Sequence, residues 1–259
     1  MDLIKLDQQF EGLKNGQRII IRDDLYEFSD LQQIFEAASK KKIAIALLDT
    51  GRLSPGEIEL LATFPFSFYT SDGTRPDFKE LSLLNLVLKS KGCRLFYFLQ
   101  GKLEENSELF HHGRLFHSIY LSNQGKILDL ELVGRLAEEV TSFGTNLVYY
   151  HHGNLEEKLT EVSQKNSWIH VSNKNLREET EIMIEDMLNE ITRAGGHLVI
   201  HVERSQSYQF LKLLADGGAF LVFHLPPVES SSRLSKLISR WQRKKLAEEA
   251  FYLYKEIMA

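Results

Sequence analysis

The sequence predicts an α/β protein, a single β/α barrel or distorted barrel, with open doubly wound parallel sheets as the alternative. Three observations predict it. Extended apolar runs rich in aromatic and β-branched residues recur along the chain, and charged stretches with helical spacing separate them. Strands joined through helices must return by a long crossover, which makes neighbours parallel and the connection right-handed. The length of 259 residues suits one barrel, since such domains often occupy about 250 residues.

The elements follow in order. RIIIRDD (18–24) reads as a strand, and LYEFSDLQQIFEAASKKK (25–42) as an amphipathic helix. IAIALLDT (43–50) precedes SPGEIELLATF (54–64), where Ser54 can cap a helix and Pro55 takes its favoured first position. FSFYTSD (66–72) leads to PDFKELSLLNLVLKSKG (76–92), closed by Lys-Gly. CRLFYFLQ (93–100) precedes a shorter helix at 103–111. DLELVGRLAEEVTSFG (129–144) is helical, NLVYYHH (146–152) extended, and NLEEKLTEVSQKN (154–166) helical again. SWIHVSNK (167–174), a helix near 176–194, HLVIHVER (197–204), a helix near 206–215 and AFLVFHLPP (219–227) complete the alternation.

Leaving aside 116–128, the major strands number eight, as a closed barrel requires. HSIYLSNQGKILDL (117–130) is read as a hairpin insertion at 116–130 or, alternatively, as a ninth parallel strand at HSIYL. The repetition is one of periodicity rather than of residues. The chain is taken as one domain, 1–259, ending in a long helix at 233–258. Leu234, Leu237, Ile238 and Trp241 form an apolar stripe there, beside Arg240, Arg243, Lys244 and Lys245.

Composition bounds the function. At 43% hydrophobic and 26% charged the chain is of ordinary globular type. A formal net charge of −5 gives no global field for nucleic acid, so nucleic-acid binding is not expected. A single cysteine, Cys93, excludes an intramolecular disulfide and any cysteine-rich metal site. No apolar run approaches the roughly 20 residues of a membrane span, and MDLIKLDQQFEGLKNG lacks the features of a secretory signal. A cytoplasmic protein without a membrane partner is the expectation.

In parallel α/β folds ligands gather beyond the carboxyl ends of the strands. Those ends carry Asp23 and Asp24, then Asp49, Asp72 with Arg75, and Gln100. Later strands supply His151 and His152, Ser172-Asn173-Lys174, His201 with Glu203 and Arg204, and His224. Strand parity puts Leu198, Ile200 and Val202 toward helices and leaves His197, His201 and Glu203 on the opposite face. The sharpest expectation is a divalent-metal site of Zn, Mn or Fe. Its ligands would come from Asp23, Asp24, Asp49, His152, His201, Glu203 and His224, and the ion would activate water for attack. Asp72, Lys174 and His201 would carry proton transfer, while Arg75, Lys174 and Arg204 would hold a small anionic substrate, phosphorylated in one version. Hydrolysis of such a compound is the leading function.

Two further functions compete with it. One is a non-catalytic scaffold or regulatory protein that forms a homodimer or binds a protein partner through the C-terminal helix. The other is a metal-independent lyase or isomerase using Lys174 and His201. Each aspartate also precedes a turn or helix, where carboxylates accept backbone N–H bonds. His117 and His170 read as hydrogen-bonded structural residues. Asp49-Thr50-Gly51 matches a protease tripeptide by chance. Gly195-Gly196 and Gly217-Gly218 precede strands, so they are helix stops and form no phosphate cradle for a nucleotide cofactor.

Overall fold

The computed structural model describes residue 16, residues 18–175 and residues 181–223; the expected helix at 233–258 and His224 lie outside them. Among the described residues nine parallel strands alternate with helices, and their order in the sheet is their order in the chain. A doubly wound sheet reverses its strand order at a switch point, whereas a β/α barrel winds in one direction. The α/β class and parallel sheet are as expected, and the unreversed order has the winding of the first alternative. None of the helices among the described residues is long and apolar enough to cross a membrane.

The contacts divide into two compact units, one comprising Met1–Gly101 with His111–Ile119 and the other Lys102–Phe110 with Tyr120–Ala259. In the first, β1 (Arg18–Arg22), β2 (Ala44–Leu48), β3 (Phe66–Ser71) and β4 (Arg94–Leu99) pair side by side. Helix α1 (Phe28–Lys40) buries Leu31, Ile34, Phe35 and Ala38, the stripe its sequence spacing dictates. Helix α2 (Pro55–Leu61) starts in a capping box. Ser54 Oγ accepts from Glu57 N–H, and the Glu57 carboxylate accepts from Ser54 N–H. Helix α3 (Phe78–Ser90) follows β3, and Tyr69 stacks on Phe96 at 4.3 Å between the two strands.

In chain order come α4 (Leu109–His112) and β5 (Ser118–Ser122), then α5 (Leu130–Ser142) and β6 (Asn146–His151). The second unit continues with β7 (Ser167–Ser172), α6 (Glu181–Arg193), β8 (His197–Val202), α7 (Tyr208–Asp216) and β9 (Phe220–Phe223). Residues 116–130 hold one strand, the ninth-strand alternative at HSIYL, then a turn and the start of α5, because ILDL leads into a helix capped by Asp129. One expectation changes here. The segment 154–166 makes a 3-10 helix, Glu157–Val162, in place of a longer α-helix.

The structure also reveals a repeat that periodicity alone concealed. The 13-residue helices α1, α3 and α5 begin at Phe28, Phe78 and Leu130, about every 50 residues, and α6, described from Glu181 onward, takes the corresponding place after β7. Each follows an odd-numbered strand. Those strands close at Arg22, Ser71, Ser122 and Ser172, and the next residues are Asp23, Asp72, Asn123 and Asn173. All four of these side chains grip the backbone just past the following strand. Thr50 N–H donates to Asp23 (2.9 Å), Gln100 and Gly101 N–H to Asp72 (2.6 and 2.7 Å), and His152 N–H to Asn123 (2.6 Å). Glu203 and Arg204 N–H donate to Asn173 Oδ1 (2.8 and 3.0 Å). Backbone groups leaving a sheet lose their ladder partners, and a carboxylate or amide one strand earlier supplies an acceptor. The approach is close: a Cβ at Gly101 would fall 2.7 Å from Asp72 Oδ2.

Candidate active site

The strand-end aspartates of the first unit, Asp23, Asp49 and Asp72, take part in structural hydrogen bonds. Asp23 is fully buried, and its Oδ1 also accepts from Thr50 Oγ1 at 2.6 Å. Asp24 pairs with Arg22 at 2.8 Å on the surface, and hydrogen bonding from that guanidinium holds its carboxyl below the usual range. Asp49 accepts from Arg75 Nε (2.7 Å), Arg75 Nη2 (3.1 Å), Thr70 Oγ1 (2.7 Å) and Gly51 N–H (3.0 Å). Arg75 also pairs with Glu80 and donates to the Leu53 carbonyl at 2.7 Å. At 5% exposure, with all three guanidinium nitrogens engaged, it braces the loops and is not placed to receive a substrate. Asp72, expected as a proton carrier, accepts the Gln100 and Gly101 N–H groups and so clamps the backbone past β4.

The second unit is different. At the carboxyl ends of β7 and β8, His170 Nδ1 and His201 Nε2 lie 2.8 Å apart. Two residues further on, Ser172 Oγ donates to Glu203 Oε2 at 2.6 Å, and Lys174 Nζ stands 3.5 Å from the same oxygen. His170 is 1% exposed, and the Tyr150 ring packs on it with centroids 4.3 Å apart. Burial first, and the neighbouring His201 second, push His170 well below its ordinary value, so it is neutral at physiological pH. A neutral imidazole has one N–H and one lone pair, which is what an N–H···N bond to a second ring demands. Arg204 stands beyond the strand, its backbone N–H and carbonyl both held by Asn173.

The other histidines belong elsewhere. His151 Nε2–H donates to the Asn154 carbonyl at 2.7 Å and shapes the loop after β6. His152 follows, its backbone gripped by Asn123; burial and the nearby His151 lower its pKa, while Glu203 opposes that shift. His117 is pushed down to about 4 by burial, with Arg94 adding to the effect, and its ring sits edge-on to Phe96. Among the described residues no three of His, Cys, Asp and Glu gather as a metal-ligand set. Asp23, Asp24 and Asp49 belong to the first unit, and His152, His201 and Glu203 to the second.

Comparing the repeats with one another separates framework from specialisation. Across neighbouring strands Arg22 faces Leu48, Ser71 faces Phe98, and Ser172 faces His201. Asp72 N–H donates to the Phe98 carbonyl, and Asn123 N–H donates in the same way to Tyr150. The residues equivalent to His201 are therefore Leu48, Phe98 and Tyr150. Those equivalent to His170, two places before the strand closes, are Ile20, Tyr69 and Tyr120. Ser172 and Asn173, by contrast, are framework. Ser122 Oγ accepts from Gln124 N–H as Ser172 Oγ accepts from Lys174 N–H, and the Asx clamp recurs four times. Three repeats fill the paired positions with apolar or phenolic side chains, and only the fourth places two imidazoles there, one buried (His170) and one half-buried (His201). Reading each strand alone missed His170; the offset of about 50 residues would have found it.

No protein-family model matches the sequence, and no curated protein does. Solved structures share a distant likeness. D-psicose 3-epimerase from Clostridium cellulolyticum H10 is 12% identical, over 78% of this chain and 93% of that one, with a TM-score of 0.35. Phospho-2-dehydro-3-deoxyheptonate aldolase from Thermotoga maritima is 10% identical over 80% and 68%, with a TM-score of 0.34. A xylose isomerase-like TIM barrel protein from Mycobacterium smegmatis, in complex with magnesium, is 10% identical over 73% and 88%, with a TM-score of 0.34. Likenesses of this strength assign no activity to the chain.

Proposed function

We propose that the end of β7 and β8 is a proton-transfer site, with His201 as the acid–base group acting on a small anionic compound. The reaction class is a metal-independent isomerisation or elimination that begins by removing a proton next to a carbonyl. One observation carries this reading: His201 is bonded at 2.8 Å to a buried neutral imidazole, at a pair of positions that the other repeats fill without imidazole. Burying the His170 ring with its polar nitrogens costs free energy that packing alone does not require. A base oriented by a second group is the arrangement such chemistry uses. Lys174 and Arg204 supply positive charge for the anionic end of the substrate, and Glu203 fixes Lys174.

Metal-assisted hydrolysis has less support because its ligands are otherwise employed. Asp49 spends both oxygens on Arg75, Thr70 and Gly51, Glu203 accepts from Ser172, and His201 Nε2 faces His170. The test incubates the full-length protein in D2O with a panel of small phosphorylated and carboxylated carbonyl compounds. NMR follows replacement of C–H by C–D beside the carbonyl. Exchange that survives a chelator and disappears in His201→Gln is the expected result. Exchange that needs added Zn, Mn or Fe would return the advantage to the metal reading. No exchange with any compound, or full exchange in His201→Gln, would refute proton transfer at this residue.

A further inference from the structure

On the second unit an open groove of about 590 Å3 runs between the 3-10 helix Glu157–Val162 and α6. Glu157, Glu161, Asp186 and Glu190 line it together with Lys158 and Arg193, so its excess charge is negative. All six are exposed, and among the described residues none of them forms an ion pair. Charges on other helices do pair, Lys40 with Glu36 on α1 and Lys212 with Asp216 on α7. Asp186 and Glu190 stand four residues apart on α6, a like-charge spacing that destabilises a helix and that a cation beside them would relieve. Met183 and Met187 add thioethers to the lining, and these are favourable neighbours for an aromatic ring.

The same chain carries a segment of matching chemistry. Residues 233–245, RLSKLISRWQRKK, hold six Lys or Arg residues and no Asp or Glu. Leu234, Leu237, Ile238 and Trp241 recur among them at helical spacing. The segment lies outside the described residues, so reach must be argued from Phe223, the end of β9. Nine residues separate Phe223 from Arg233, enough for extended chain to cover roughly 30 Å. The 3-10 helix leads into β7, which lies two strands from β9, about 10 Å across the sheet, and a packed helix layer adds about 10 Å. A tether of that length keeps the segment at roughly millimolar effective concentration, where modest contacts fill a groove.

We infer that residues 233–245 of this chain dock in the groove, with Lys and Arg side chains on its carboxylates and Trp241 against Met183. Docked there, the segment straps together the 3-10 helix that enters β7 and the α-helix that enters β8.

The two tryptophans make this measurable, because Trp168 is only 2% exposed. Acrylamide quenching of the full-length protein, with Trp241→Phe supplying the Trp168 contribution, reports on Trp241. The groove is reversed by Glu161→Lys with Glu190→Lys, and the segment by Arg240→Glu with Arg243→Glu. Exposed groove positions tolerate substitution, and circular dichroism checks that the fold is kept. Glu161→Gln with Glu190→Gln, read in the same way, replaces the reversal if the fold is disturbed.

The expected result is a Trp241 shielded in the parent at low salt, a severalfold rise in its quenching constant in either reversed variant, and a return to the parent value when both reversals are combined. The mass from light scattering should be the same in parent and variants. A parent Trp241 quenched like free indole would overturn the inference. So would shielding that survives groove reversal, or a combined variant that stays unshielded. A parent dimer that dissociates on either reversal would give the groove to a second copy's segment and overturn docking within one chain.

Discussion

Transplanting the second repeat's pair into the fourth tests whether the fold needs two imidazoles. His170→Tyr with His201→Phe reproduces Tyr69 and Phe98 at equivalent places. The hydrogen bond removed contributes about 0.5–1.5 kcal/mol, and replacing both of its partners by groups that do not need it is close to neutral. The larger rings enter a packed layer, and overpacking costs roughly 1–3 kcal/mol, offset in part by the added apolar burial. The double variant should therefore lie within about 2 kcal/mol of the parent at pH 7.5. His201→Phe alone should cost more than its share, about 1–3 kcal/mol, because His170 Nδ1 loses this partner inside the protein.

Acid supplies a second readout of the same pair. His170 has a folded-state pKa well below its unfolded value of 6.5, so the unfolded chain binds more protons at mild acid. The stability from keeping this ring neutral is fully present above pH 6.5 and is lost as pH falls toward the folded-state value. Between pH 7.5 and 5.5 that single group lowers the stability of the parent, and the double variant escapes this loss. Urea denaturation followed by circular dichroism at the two pH values measures both quantities. A loss above about 3 kcal/mol at pH 7.5 would make the imidazole pair a structural requirement and end the comparison between repeats. An unchanged acid sensitivity would refute the neutrality of His170.

Two other perturbations test the framework. Asp49→Ala strands the Arg75 guanidinium, 5% exposed, beside only Glu80 and the Leu53 carbonyl; it should cost about 3–5 kcal/mol in chemical denaturation, and a loss below about 1 kcal/mol would show that the ion pair does not hold these loops. Gly134→Ala in α5 should destabilise by about 1–3 kcal/mol, although alanine normally favours a helix interior by about 1 kcal/mol over glycine, because the new Cβ would stand 2.6 Å from the Glu161 carbonyl oxygen; a rise in thermal midpoint would contradict that close approach.

The chain stated its architecture through short-range signals. Ser54-Pro55 with Glu57 announced α2, and Leu31, Ile34, Phe35 and Ala38 announced the buried face of α1, because capping and periodicity are settled within a few residues. Failures began where the deciding partner lay one strand away. Asp23, Asp72, Asn123 and Asn173 stand at visibly similar places, but whether each meets a metal, a substrate or the backbone 27 to 31 residues later is decided by register. The same limit hid His170. Parity placed it on one face of β7, yet its contact with His201 arises because Ser172, two residues on, pairs across with that histidine. A repeat reduces this dependence on register. Once four copies solve one packing problem, whatever Ile20, Tyr69 and Tyr120 share is demanded by the fold, and what His170 does differently must be maintained for another reason. Chemistry in this chain is therefore best sought where the copies disagree, at the positions of His170, His201 and Glu203, rather than where every strand end carries the same carboxylate or amide.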